Sequence, residues 1–273
     1  MEHKEFTFQL HNTNFYGEYW QVKNAKATVI IVHGMGEHLK RYYHVAKKFT
    51  DNNFNVIAYD NFGHGKTSGK RGHNPNFEAL LDVIEFNINK AVEISKNLPV
   101  ILYGHSMGGN LVINYTLRKN HNLKGVIATS PFLKLAFDPP AWKMSLGKIL
   151  QKIAPSITLG NELNANHISR DPKQVELYKT YPLVHDKISP NYSITILETG
   201  DWAIINANTL KTPMFVIHGT DDKIISCEGS KEFCEKSDLA ELQLIKGGYH
   251  ELQNDICKDE FLELVLNWTN QQV

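Results

Sequence analysis

The sequence predicts an α/β protein with a mostly parallel central sheet, helices on both faces and a helical insertion. Three observations carry this expectation. Apolar, β-branched runs alternate with amphipathic segments through residues 27–129 and again through 214–270, as repeated strand–helix–strand units do. The runs are continuously apolar, which suits strands covered on both faces. Residues 131 to about 210 interrupt the alternation with several helical pieces and no such run, and a structureless loop of that length would be improbable inside a compact domain.

Glu5–Leu10 and Phe15–Val22 alternate and carry aromatics, so they predict an opening antiparallel pair. Ala27–Val32 predicts the first buried strand, and a glycine loop follows at His33-Gly34-Met35-Gly36. A helix over Tyr42–Asn52 leads to a second buried strand at Phe54–Tyr59. The four glycines of Asp60–His73 predict a loop. Phe77–Asn97 places Leu80, Leu81, Ile84, Ile88, Ala91 and Val92 on one side of a long helix. Strands at Pro99–Tyr103 and Leu123–Thr129 enclose a helix over Asn110–Lys119. After the insertion come a strand at Met214–Gly219, a helix near Ser226–Lys236, a strand at Leu239–Lys246 and a closing helix over Ile256–Asn270. The whole chain, 1–273, is expected to form one domain with the insertion inside it.

Composition narrows the function. Lys+Arg and Asp+Glu both number 29, whereas a protein that tracks nucleic-acid phosphates should be clearly basic. With 42% hydrophobic and 21% charged residues the chain is an ordinary globular one. Cys227, Cys234 and Cys257 form no C-x-x-C pair and no even-numbered framework, so reduced thiols are expected. The start, Met-Glu-His-Lys-Glu-Phe, has no apolar signal core, and no run of 18 apolar residues exists. A cytoplasmic protein, peripheral to membranes at most, is the expectation.

Ligands of such sheets bind beyond the carboxyl ends of the strands, so the loops there are decisive. Gly104-His105-Ser106-Met107-Gly108 lies between a buried strand and a helix. Gly-x-Ser-x-Gly is weak by itself, but here it stands where a sharp turn would present the serine as a nucleophile. A serine hydroxyl needs a base held by an acid. Asp221 and Asp222 follow one later strand, and Gly247-Gly248-Tyr249-His250 follows the next. Spacing alone leaves both aspartates open as the acid, and His250 is the candidate base. An oxyanion needs two amide donors, which Met107 and Met35 are placed to supply.

Other motifs fail. Gly65-Lys66-Thr67 lacks the phosphate-loop glycine at Asp60, Gly34-x-Gly36 lacks the third dinucleotide glycine at Leu39, and His250-Glu251 lacks the second zinc histidine at Asn254. No metal and no cofactor is expected.

With these residues in view, the chain resembles the α/β-hydrolase superfamily, and within it the monoacylglycerol lipases. The resemblance rests on His33-Gly34-Met35-Gly36-Glu37-His38 with Arg41-Tyr42, on Asp60-Asn61-Phe62-Gly63-His64-Gly65, on the serine turn, on His218-Gly219-Thr220-Asp221-Asp222, and on Gly248-Tyr249-His250. It implies Ser106, Asp222 and His250 as catalytic triad, choosing Asp222 over Asp221. It also implies Glu37, Arg41 and Tyr178 around the glycerol end of a substrate. Glu37 and Arg41 equally suit an ion pair at a helix start. Close relatives carry a second histidine three residues after the base, where Gln253 stands here.

The implied activity is hydrolysis of esters of single-acyl-chain lipids, foremost monoacylglycerols. Lysophospholipase or broad carboxylesterase activity is the alternative, followed by a peptidase or a non-catalytic binding member of the fold. In the insertion, Leu146, Ile149, Leu150 and Ile153 repeat at helical spacing. Most of that stripe is expected to pack onto the main domain, with the rest lining an acyl tunnel or a lid that touches membranes or micelles transiently. The sequence leaves the oligomeric state open.

Overall fold

A computed structural model describes residues 1–96 and 98–273; the Asn97 end assigned to the second helix lies outside the described residues. Eight strands form the main sheet: β1 (Glu2–Leu10), β2 (Thr13–Gln21), β3 (Ala27–Val32), β4 (Phe54–Tyr59), β5 (Val100–His105), β6 (Gly125–Thr129), β9 (Met214–Gly219) and β10 (Ala240–Ile245). Their order is β1-β2-β4-β3-β5-β6-β9-β10. β1 pairs antiparallel with β2, and β2 with β4; every later neighbour is parallel.

The continuously apolar runs are the central strands. β3, β4, β5 and β9 are buried at every residue. Their side chains alternate between two cores. Ile30 and Val32 of β3 join the core that holds α2 (Phe77–Ile94) and α3 (Met107–Arg118), whereas Val29 and Ile31 join the one that holds α1 (Tyr43–Asp51) and α8 (Lys258–Gln271). Each such side chain removed from water contributes about 1.5–3 kcal/mol. The edge strand β10 is only partly buried, followed in sequence by the loop that carries His250.

The helices follow from local chemistry. The Asn76 side chain accepts from Ala79 N–H and opens α2. Leu80, Leu81 and Ile84 are buried as expected, but Val92 is exposed because the buried face passes through its neighbour Ala91. α3 begins at Met107, three residues earlier than the periodicity indicates. Gly108 and Gly109 belong to its first turn because the helix comes too close to β3 and Pro131 for a side chain there.

Residues 131–210 add no strand to the main sheet. They hold α4 (Ala141–Ile153), a short antiparallel pair of β7 (Leu159–Gly160) with β8 (Lys187–Ile188), α5 (Pro172–Thr180) and α6 (Pro190–Ile205); α7 (Cys227–Cys234) lies between β9 and β10. α6 packs on α3, and α4 packs on α6. The apolar stripe of α4 does not pack inward as expected. No residue of α4 is buried, and Trp142, Leu146, Ile149 and Ile153 are 64%, 46%, 54% and 74% exposed. The helix leans on α6 through Gly147, whose missing Cβ would lie 2.8 Å from Ile194 Cδ1, so the stripe faces away. Among the described residues no helix is long and apolar enough to cross a membrane.

Candidate active site

Ser106 links β5 to α3 at φ 53°, ψ −114°, a conformation that costs a non-glycine residue about 1–3 kcal/mol. The flanking glycines make the turn possible by contact, not only by freedom. A Cβ on Gly104 would stand 2.3 Å from Gly108 O, and one on Gly108 would stand 2.0 Å from Val32 O. Backbone bonds fix the turn on both sides: Ser106 N–H donates to Thr129 O, and Ser106 O accepts from Asn110 and Phe132.

The loop after β10 brings His250 to this turn. Its Nε2 lies 3.0 Å from Ser106 Oγ, and its Nδ1 lies 2.7 Å from Asp222 Oδ2. Nδ1–H therefore donates to the carboxylate, and Nε2 is left to accept from the hydroxyl. The loop after β9 presents Asp222, while the neighbouring Asp221 is exposed and accepts from its neighbour Thr220. Asp222 Oδ1 accepts from Ile224 and Ile225 N–H at 2.8 and 3.0 Å. A second imidazole reaches Oδ2: His218 Nε2 lies 3.1 Å from it, and His218 Nδ1 lies 2.8 Å from Ser230 Oγ.

Electrostatics follow from these contacts. Burial alone would raise the Asp222 carboxyl, but the His250 and His218 imidazoles hold it well below the usual range. Burial alone would lower His250, but the Asp222 charge outweighs it and raises the imidazole above its ordinary value. Burial holds the adjacent His105, whose Nδ1 is 3.0 Å from Thr129 Oγ1, down to about 3.

The glycine loop after β3 passes beside the serine: the position of a Gly34 Cβ lies 3.2 Å from Ser106 Cβ. Two buried imidazoles hold this loop. His33 Nδ1–H donates to Gly34 O, and its Nε2 accepts from Asn61 N–H. His64 Nε2 accepts from Gly36 N–H at 3.0 Å. Between these bonds the Met35 amide has no protein acceptor among the described residues, nor has the Met107 amide at the start of α3. Both are unpaired donors, one in the loop beside Ser106 and one on the residue that follows it.

Glu37 and Arg41 are buried, and their polar atoms engage the protein itself. Glu37 Oε1 accepts from Gly34 N–H at 2.6 Å and Tyr42 O–H at 2.5 Å, and Oε2 accepts from Arg41 Nε at 3.2 Å. Arg41 also pairs with Glu251. The buried Tyr178 ring lies 5.0 Å from the guanidinium. Gln253 is fully buried, with neither amide atom partnered in the protein among the described residues. With Lys40, His44, Tyr181 and Lys258, Arg41 and Gln253 border a cavity of about 500 Å³.

Two residues of this site have no role in the sequence alone. His218 stands four positions before Asp222, within the strand, where it reads as a core residue. Glu251 follows the candidate base directly, and its signal was a charged residue in an otherwise compact glycine-rich loop. Among the described residues no cluster of three or more His, Cys, Asp and Glu side chains could hold a metal.

A strained serine between a buried strand and a helix, with later loops supplying imidazole and carboxylate, defines a serine hydrolase of the α/β-hydrolase fold. A family model described as "Serine aminopeptidase, S33" matches residues 23–256, and the chain belongs to that family. Monoacylglycerol lipase from Mycolicibacterium smegmatis is 31% identical over 248 residues, covering 90% of this chain and 88% of that protein. An abhydrolase domain-containing protein of Dictyostelium discoideum is 36% identical over 251 residues; these cover 90% of this chain but only 26% of that longer protein. The crystal structure of Paleococcus ferrophilus monoacylglycerol lipase superposes with a TM-score of 0.88 at 32% identity, covering 95% of this chain and 99% of that one. The chain is a monoacylglycerol lipase-like ester hydrolase.

Proposed function

We propose that this enzyme hydrolyses the carboxylic ester of single-acyl-chain lipids, splitting a monoacylglycerol into glycerol and a free fatty acid. The observation that carries the reading is the hydrogen-bonded series Ser106–His250–Asp222, at 3.0 and 2.7 Å. The substrate class draws on the monoacylglycerol lipases among its relatives.

Ser106 Oγ attacks the ester carbonyl while His250 Nε2 takes its proton. The Met35 and Met107 amides hold the oxyanion. The imidazolium then protonates the leaving alkoxide, glycerol departs and the acyl group stays on Ser106. Water, deprotonated by His250, attacks the acyl carbonyl, and the returning proton restores the serine as the fatty acid leaves. Asp222 fixes the imidazole tautomer and stabilises the imidazolium. The family resemblance puts Tyr178 and Gln253 on the alcohol side, and the unpaired Gln253 amide is buried, so it serves a hydroxyl only where the substrate reaches it.

In this reading the whole chain is one domain, and residues 131–210 are its cap. The outward stripe of α4 suits transient contact with a membrane or micelle from which the lipid is drawn. A lysophospholipase reading needs basic groups for the phosphate; Lys40 and Lys258 line the 500 Å³ cavity, which Ser106, His250 and Asp222 do not border. An aminopeptidase needs a free carboxylate for the substrate's ammonium, and the buried Glu37 and Glu251 are both engaged by Arg41.

A fluorophosphonate probe tests the assignment. It is expected to label the native chain on Ser106, and Ser106→Ala is expected to abolish labelling and turnover while circular dichroism stays native. A label on another residue, or a folded Ser106→Ala variant that keeps most turnover, would contradict it.

A further inference from the structure

We infer that Glu251, Arg41 and Glu37 form a buried strut that fixes the oxyanion loop against the loop of the catalytic histidine. They are positioning residues here, not contacts to the alcohol. The inference rests on the triad reading above and adds a role for residues outside it.

The strut can be followed bond by bond. Glu251 is the next residue after His250, and its Oε2 pairs with Arg41 Nη2 and accepts from Asn254 Nδ2 at 2.9 Å. Arg41 Nε reaches Glu37 Oε2 at 3.2 Å. Glu37 Oε1 accepts from Gly34 N–H at 2.6 Å, one residue before the Met35 amide. A single guanidinium thus ties the loop after β3 to the loop after β10, and these loops flank Ser106. The side chains of Arg41, Glu37 and Glu251 are only 5%, 3% and 4% exposed. A buried, charge-assisted bond held by a planar fork is directional and stiff.

The arrangement leaves Glu37 little for a substrate hydroxyl. Both oxygens of Glu37 already accept, Oε1 from two donors. The Tyr178 ring lies against the guanidinium at 5.0 Å. Two carboxylates also share one cation. Burial raises the Glu251 carboxyl, whereas the Arg41 guanidinium and the Tyr42 hydroxyl hold Glu37 below its usual range against the same burial. One guanidinium thus stands between two buried carboxylates, Glu37 on the oxyanion-loop side and Glu251 on the histidine side.

Two esters of the same fatty acid separate a strut from an alcohol contact: the monoacylglycerol, and the p-nitrophenyl ester, which has no glycerol. Glu251→Gln keeps volume and leaves the Glu37–Arg41 pair balanced. Arg41→Lys keeps the charge but loses the fork. Each folded variant is expected to lose about tenfold to a hundredfold in kcat on both esters, the range for a slightly displaced reacting group or oxyanion donor, with KM within about twofold. A loss confined to the monoacylglycerol would overturn the strut in favour of a head-group contact. Unchanged kcat on both esters in a folded variant would overturn it too. If fluorophosphonate fails to label Ser106 in the native chain, the triad reading has failed; labelled native enzyme with unaffected variants means that the strut alone has failed.

Discussion

Ser106, His250 and Asp222 come from three loops spread over 144 positions of sequence, yet they meet within hydrogen-bond reach. Because Asp222 raises the His250 imidazole, the base is protonated and idle at acid pH and becomes active as pH rises. The acid limb of kcat/KM is therefore expected at a pKa above the ordinary imidazole value of about 6.5. A pH profile with its acid midpoint below that value would contradict the pairing. Asp222→Asn should leave the fold intact and lower kcat by about 10⁴-fold, the scale seen when other serine triads lose the charge that sets the tautomer. Steady-state kinetics on the purified variant checks this. At this scale the serine turn, the histidine loop and the glycine loop were legible because glycines and strand ends mark them, whereas spacing left Asp221 and Asp222 open and only the family resemblance chose between them. His218 and Glu251 were not, since their part depends on where a ring and a carboxylate point, which only the packed loops decide.

The element that sets this geometry is the tight β5–Ser106–α3 turn, which leans on β3. Gly108 is its most constrained position, because a Cβ there would lie 2.0 Å from a backbone oxygen, Val32 O. A strand at the centre of the sheet cannot yield as a flexible side chain can. Gly108→Ala is expected to cost at least about 2 kcal/mol, in the range of overpacked cores, and to take turnover with it. Gly160→Ala, where the nearest atom is Asp186 Oδ2 at 3.5 Å, should change little. Urea unfolding of both variants makes the comparison. The buried strands and long helices were legible in period and composition. The early start of α3 was not, because Gly108 and Gly109 read locally as loop and are helical only through the close approach of β3 and Pro131.

Across the whole molecule the apolar stripe of α4 is the main departure from the sequence reading. Helical period identified the stripe, but period cannot say whether a face meets protein or solvent. Here Gly147 lets α4 sit on α6 with its larger side chains outward. Ile149→Glu with Ile153→Glu changes only exposed positions, so stability is expected to hold within about 0.5 kcal/mol per site. Turnover of a soluble short-chain ester should also hold. Co-sedimentation with phospholipid vesicles, and turnover of monoacylglycerol presented in them, should fall. Unchanged vesicle association would remove the membrane role from this face.

The central claim, a serine esterase for single-acyl lipids, meets its most direct test in fatty-acid release. A long-chain monoacylglycerol is assayed beside the matching lysophosphatidylcholine, with Ser106→Ala as the blank. The expected result is rapid release from the monoacylglycerol, much slower release from the lysophospholipid, and none from the blank. Preference for the lysophospholipid, or activity on short esters alone, would contradict the claim about the substrate, and release by the Ser106→Ala variant would contradict the chemistry itself.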